Sequence, residues 1–65
     1  MYKYFVSYCA HDEDGDLVYG NCTIDEKSPI TTLEQIREIE EYIYDIGEYS
    51  NVIVLNYILL KKFGE

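Results

Sequence analysis

Apolar and aromatic residues crowd the first strand-like stretch, Tyr2-Lys-Tyr-Phe-Val-Ser-Tyr-Cys-Ala10. Aromatic and β-branched residues suit a pleated, half-buried surface, so this stretch predicts a strand. Its faces are Tyr2, Tyr4, Val6 and Tyr8 on one side and Lys3, Phe5, Ser7 and Cys9 on the other. Neither is strictly polar, which suits a central strand. His11-Asp-Glu-Asp-Gly-Asp16 follows, and its Asp14-Gly15 pair signals a tight hairpin turn, because glycine tolerates positive φ. Leu17 to about Asp25 predicts the returning strand, with Val18, Cys22 and Ile24 on one face. Gly20 inside it marks either a bulge or a close backbone approach.

A polar connector, Glu26 to Ile30, carries the only proline. The periodicity then changes. Leu33, Ile36, Ile39, Ile43 and Ile46 recur at helical spacing, while Glu34, Glu38, Glu41 and Asp45 take the opposite side. Thr32 with Gln35 three residues on reads as a capping box, and Thr31 with Glu34 is the alternative register. Gly47 is placed to end the helix in a left-handed conformation.

After a turn at Glu48 to Ser50, the run Asn51-Val-Ile-Val-Leu-Asn-Tyr-Ile-Leu-Leu60 predicts a third strand, followed by the tail Lys61 to Glu65. Strict alternation puts Val52, Val54 and Ile58 on one face and Ile53, Leu55, Tyr57 and Leu59 on the other, so both faces are apolar. The fold class is therefore α+β, a ββαβ single domain over residues 1–65. It combines a mostly antiparallel three-stranded sheet with one helix on one face. Order 2-1-3 follows if the apolar first strand is central; a right-handed crossover pairing strands two and three is the alternative. One helix covers one sheet face only. In order 2-1-3 the third strand is also a long apolar edge, an aggregation hazard unless covered. These features predict a homodimer, with Val52, Val54, Tyr57 and Tyr4 as interface residues, made through strand three, the open sheet face, or both. A chain this short buries only about 60% of its unfolded surface, which also favours a second subunit.

Composition narrows the partners. Thirteen acidic and five basic side chains give a net charge of −8. Nucleic-acid binding needs lysine and arginine to displace counterions, so direct binding to DNA or RNA is not expected. The same charge opposes anionic membrane surfaces, and no apolar stretch approaches the ~20 residues of a membrane span. The N-terminus has no signal-peptide pattern, and two cysteines are few for a disulfide scaffold. A basic protein surface is the complementary partner. The helix carboxylates Glu34, Glu38, Glu41 and Asp45 form a stripe about 16 Å long. With Asp12, Glu13 and Asp14 of the hairpin, they are the candidate partner-binding residues. Asp25 and Glu26 add to this acidic surface, which resembles a nucleic-acid backbone in charge.

Candidate chemistry is thin. An EF-hand calcium loop needs glycine at its sixth position and glutamate at its twelfth. Counting from Asp12, glycine is fourth and the twelfth residue is Thr23, so a solvated turn is the plainer reading. Cys9, His11 and Cys22 offer three ligands from two strands, but without metal-site spacing or an evident outer partner. Cys9 and His11 share a strand face, yet no orienting group or oxyanion hole can be named for catalysis. No enzyme activity, metal or cofactor is expected. Eight tyrosines are many for this length. Tyr2, Tyr4 and Tyr8 share a strand face, and Tyr42 and Tyr44 flank the helix. Tyrosine suits both cores and interfaces.

Lys3-Tyr-Phe-Val-Ser-Tyr8, Tyr19-Gly-Asn21 after the hairpin, Ile36-Arg-Glu-Ile-Glu40 on the helix and Asn51-Val-Ile-Val-Leu-Asn56 at the end form a pattern. It resembles that of small proteins encoded by phages and prophages of Gram-positive bacteria. Those begin K-Y-F-V-S-Y, carry G-F-G-N after the first hairpin and end in N-V-V-I-L-N. Here Tyr19 precedes Gly20 where Gly-Phe is typical. The resemblance implies a cytoplasmic setting in a bacterial host cell and supplies no catalytic residues. Small accessory phage proteins often bind host proteins, including defence systems. The expected function is accordingly a non-catalytic acidic inhibitor of a host protein, anti-CRISPR-like or otherwise anti-defence, that occupies a basic nucleic-acid-binding surface. The alternative is a module that binds or sequesters a nucleotide signal at a tyrosine-lined site in a dimer interface. Against it, a phosphate ligand wants basic groups or helix N-terminal amides.

Overall fold

In a computed structural model that describes residues 1–64, the chain forms β1 (Tyr2–His11), β2 (Leu17–Glu26), α1 (Leu33–Gly47) and β3 (Ser50–Lys62). The strands make one antiparallel sheet in the order β2-β1-β3. The crossover alternative is thereby excluded, and β1 is central. α1 packs on one sheet face, chiefly over β3, and the whole measures 42 × 19 × 18 Å. Of the expected tail, Lys61 and Lys62 belong to β3, and Glu65 lies outside the described residues.

β1 and β2 pair without interruption, from Tyr2 opposite Glu26 to His11 opposite Leu17. Gly20 is therefore no bulge. It stands opposite Tyr8, and a Cβ there would sit 2.6 Å from the Tyr8 phenol oxygen, so the glycine lets the ring cross the neighbouring strand. The hairpin turn closes over Glu13, Asp14 and Gly15. The Asp12 amide donates to the Asp16 carbonyl and the Gly15 amide to the Asp12 carbonyl, with Gly15 at φ 84°. That fits a turn followed by one glycine in the left-handed region.

The Thr32 capping box forms as the spacing predicts. Gln35 N–H donates to Thr32 Oγ1 at 3.2 Å, and Gln35 Oε1 accepts from the amides of Thr32 and Thr31. Gln35 Nε2 also donates to the Pro29 carbonyl at 3.0 Å, so one side chain fixes both the connector and the helix start. The other helix end differs from expectation. Gly47 remains in the helix, and Glu48 takes the left-handed position at φ 57°. Glycine is needed at 47 for a different reason: the Tyr49 ring lies over it where a Cβ would be, on its way to packing against Tyr8 at 6.0 Å between centroids.

The core lies between β1 and α1. Tyr4, Val6, Tyr8 and Ala10 face Ile39 and Ile43, with Ile30 closing one end, and Ile36, Val52 and Val54 pack around them. Both ends of the predicted helix stripe fall outside it, since Leu33 is 65% and Ile46 62% exposed. Three strands about 4.8 Å apart give a narrow floor, and only the middle turns of α1 rest on it.

β3 breaks the alternation expected of it. Its pairing with β1 slips between Lys3 and Tyr4, between Ser7 and Tyr8, and between Cys9 and His11. Leu60 and Leu55 are the extra residues at the first two slips, and each resets the faces. Tyr57 and Leu59 therefore join Val52 and Val54 on the helix side, while Ile53, Asn56 and Ile58 face the open side. Asn51, at φ 53°, absorbs the third slip, a conformation asparagine tolerates better than most residues.

These placements correct three of the four expected dimer-interface residues. Tyr4 is buried, and its Oη accepts the Ile30 amide at 2.9 Å. Val52 and Val54 are partly buried against the same core. All three face the helix, and only Tyr57 remains open.

Candidate functional site

The helix side that carries no core residue is acidic. Glu34, Glu38, Glu41 and Asp45 are all exposed. Arg37 does not neutralise this stripe, because it pairs at 3.1 Å with Glu40 on another flank. The other Glu40 oxygen accepts the Val54 amide at 2.9 Å, capping one backbone group of β3. Sequence periodicity gave no sign of that role, because a helix-to-strand contact depends on where α1 settles.

Chain folding brings further carboxylates beside the helix at two places. At the C-terminal end of α1, a shallow cleft of about 260 Å³ brings Asp12, Glu13 and Asp14 of the hairpin beside Gly47, Glu48 and Tyr49. Midway along the helix, a cleft of about 430 Å³ between α1 and β2 is lined by Asp25, Glu26, Glu38, Ile39, Tyr42 and neighbours, with Lys3 as its basic side chain. Lys3 pairs with Asp25 at 3.1 Å. The exposed carboxylates of α1, the hairpin acids beside Glu48, and Asp25 and Glu26 beside Glu38 together make up an acidic belt.

The belt is electrostatically unfavourable to the free protein. Like charges at i,i+3 and i,i+4 repel along the helix. The last turn has no basic residue, and Asp45 and Glu48 lie where the negative end of the helix dipole would prefer a cation. Glu26 reports the crowding. Burial first, and the Glu38 charge second, push its carboxyl above the ordinary value near 4.5. A folded-state value above the unfolded one means that protonation favours the folded form. The resulting stability is fully present below the unfolded value and lost as pH rises through the folded one. Lowering the pH from about 7 to about 5 is therefore expected to raise the melting temperature. Glu26→Gln should reduce that rise, as thermal melts across this range would show; an unchanged slope in the variant would refute the assignment.

The other candidate groups do not converge on one site. Cys9 is on the open sheet face and Cys22 on the helix side, opposite Val6, so Cys9, His11 and Cys22 cannot share one ion. Burial raises the Cys22 thiol above its usual value, which disfavours the reactive thiolate. His11 Nδ1 lies 3.4 Å from Asn51 Nδ2. Asp12, Asp14 and Asp16 bring one carboxylate oxygen each within 4.8 Å of one another. Asp12 Oδ1 already accepts the amides of Asp14 and Asp16, the local bonding by which an aspartate shapes a turn. The tyrosines do not converge on a cleft. Tyr4 and Tyr8 belong to the core, Tyr42 and Tyr44 are exposed, and Tyr19, at 73% exposure, stands alone on the open face of β2. Burial, then the hydrogen bond and charge of Tyr49, then the Cys22 charge, raise the Tyr8 phenol further above its ordinary range.

No helix among the described residues is long and apolar enough to cross a membrane. Comparison with protein-family models, with curated proteins and with solved structures found no match in any of the three.

Proposed function

We propose that this protein is a non-catalytic interaction module that binds and inhibits a host protein through its acidic belt. The observation that carries the reading is the concentration of exposed carboxylates on α1, continued by the hairpin and by the β2 side of the larger cleft, where the helix carboxylates repel one another and Asp45, Glu48 and the hairpin acids also oppose the helix dipole. A basic partner surface relieves that repulsion on binding and gains on-rate from complementary charge. The resemblance to phage and prophage proteins gives the setting: the cytoplasm of a bacterial host, with a nucleic-acid-handling defence protein as target, in the manner of an anti-CRISPR inhibitor. The belt would occupy the groove that normally holds a phosphate backbone.

The test begins with affinity purification of the tagged protein from a phage-permissive Gram-positive host and identification of what it retains. Against that partner, E34K/E38K/E41K is expected to weaken binding on the order of 100-fold, mainly through slower association. The fold should persist, since all three side chains are exposed. Raised salt should weaken the wild-type complex. Undiminished binding by the triple variant, with loss of binding in Tyr57→Ala, would move the interface to β3 and sink the acidic reading.

The nucleotide-signal alternative has less support. The larger cleft presents Asp25, Glu26 and Glu38 against Lys3, a balance that repels phosphate. A thermal-shift screen with cyclic nucleotides is expected to show no stabilisation.

A further inference from the structure

We infer that a second copy of this chain pairs with the outer edge of β3 over its C-terminal half, and that the two sheets join into one of six strands. This contact lies apart from the acidic belt. The first observation is exposure on both sides of one strand. Tyr57 and Leu59 face the helix side and Ile58 the open side, and all three are exposed, as are Leu55 and Leu60 at the bulges. A layer stacked on one face would cover only one of these sets. A lateral strand contacts both, because cross-strand neighbours pack on each face. Together these five residues, between 38% and 55% exposed, offer on the order of 500 Å² per copy, so a pair reaches roughly the ~1,000 Å² total at which a specific interface begins.

Charge points to the same place. None of the thirteen acidic residues lies between Ser50 and Lys62, and Lys61 and Lys62 sit at the far end of β3. In a chain of net charge −8, this is the stretch of surface where self-association is least opposed.

The helix sets where pairing stops. Glu40 occupies the Val54 amide and the Asn56 side-chain oxygen accepts the Tyr57 amide at 2.8 Å, so a neighbouring strand has Leu55 to Lys62 available once that local Asn56 bond is exchanged for one between strands. A two-fold axis at Ile58 satisfies these limits. Ile58 meets its own copy on the open face, and Tyr57 meets Leu59 of the second copy on the helix side, so opposed residues share a face. Lys62 of the second copy then reaches the Val54 end, beside the Glu40 carboxylate, and no lysine opposes a lysine. A two-fold relating antiparallel strands within a sheet stands perpendicular to it. Both copies of α1 therefore lie on the same face, and the dimer displays two acidic stripes side by side.

The experiment combines mass and cross-linking. Sedimentation or light scattering at tens of micromolar should give twice the 7.7 kDa chain mass. Leu59→Asp should give the monomer, with its circular dichroism retained. In a Cys9→Ser/Cys22→Ser background, Ile58→Cys should form a disulfide-linked dimer on mild oxidation, because directly opposed strand residues lie within the ~4.4–6.8 Å Cα range that a disulfide spans. Tyr19→Cys, more exposed but on the far strand, should not. A wild-type monomer at this concentration overturns the proposal. So does the reverse pattern, in which Tyr19→Cys cross-links and Ile58→Cys does not, since that would place the contact on the open face.

Discussion

Replacing Ile39 by alanine is expected to cost about 2–5 kcal/mol of folding stability, measured by urea denaturation. Ile39 is 3% exposed and belongs to a core of seven buried side chains among the described residues, with Ile43 one turn further along α1. Deleting three carbons there loses their transfer free energy and leaves a cavity against Tyr4 and Val6 of a sheet whose backbone pairing resists collapse. Domains of ordinary stability have about 5–15 kcal/mol in total. The variant should therefore stand close to unfolding at room temperature, and Ile43→Ala should behave alike. Leu33→Ala and Ile46→Ala, at the exposed ends of the same stripe, should each stay within about 1 kcal/mol. A small loss at Ile39 or a large one at Ile46 would mean that α1 is rotated from its observed seat.

The second large effect is expected from one oxygen. Tyr4→Phe should cost about 1–3 kcal/mol, because it leaves the buried Ile30 amide without an acceptor while changing little of the packing. The bond also ties the connector before α1 to β1, so the loss should appear locally as faster hydrogen exchange at Ile30. Tyr57→Phe is the control. Its ring meets Tyr4 edge-on at 5.8 Å but is far more open to solvent, and it should change stability by less than about 0.5 kcal/mol. Equal effects from the two variants would show that the Tyr4 hydroxyl contributes nothing specific. Because that tether positions the start of α1, it also bears on how the first carboxylate of the stripe, Glu34, is presented.

The order ββαβ, the central place of β1, the Thr32–Gln35 cap and the buried middle of the helix stripe were all legible in the chain. Each is a local matter of period, propensity or a contact three residues long, and the apolar character of both β1 faces selected the sheet order. The exposed carboxylates of α1 were legible for the same reason, since a helix period fixes which residues share a side. Turn length and the role of the glycines were not. Gly15 suited more than one hairpin loop, and Gly20 and Gly47 serve rings, of Tyr8 and Tyr49, that reach them only after the strands and helix have packed.

The sequence by itself determined which elements form and which of their sides are apolar or charged, because those properties follow from neighbours within a few residues. Only the tertiary structure decided which apolar residues are buried. Tyr4, Val52 and Val54 read as surface available to a second copy, yet they lie under a helix that settles over β3. Leu55 and Leu60 read as steps in a regular alternation, yet their bulges turn Tyr57 to one side and Ile58 to the other. Likewise Asp12, Glu13 and Asp14 meet Glu48 only because the hairpin and the helix end at the same edge of the sheet. Burial, register and the joining of distant charges depend on contacts between elements, and the spacing of residues along the chain does not encode where a narrow three-stranded floor stops supporting the helix above it.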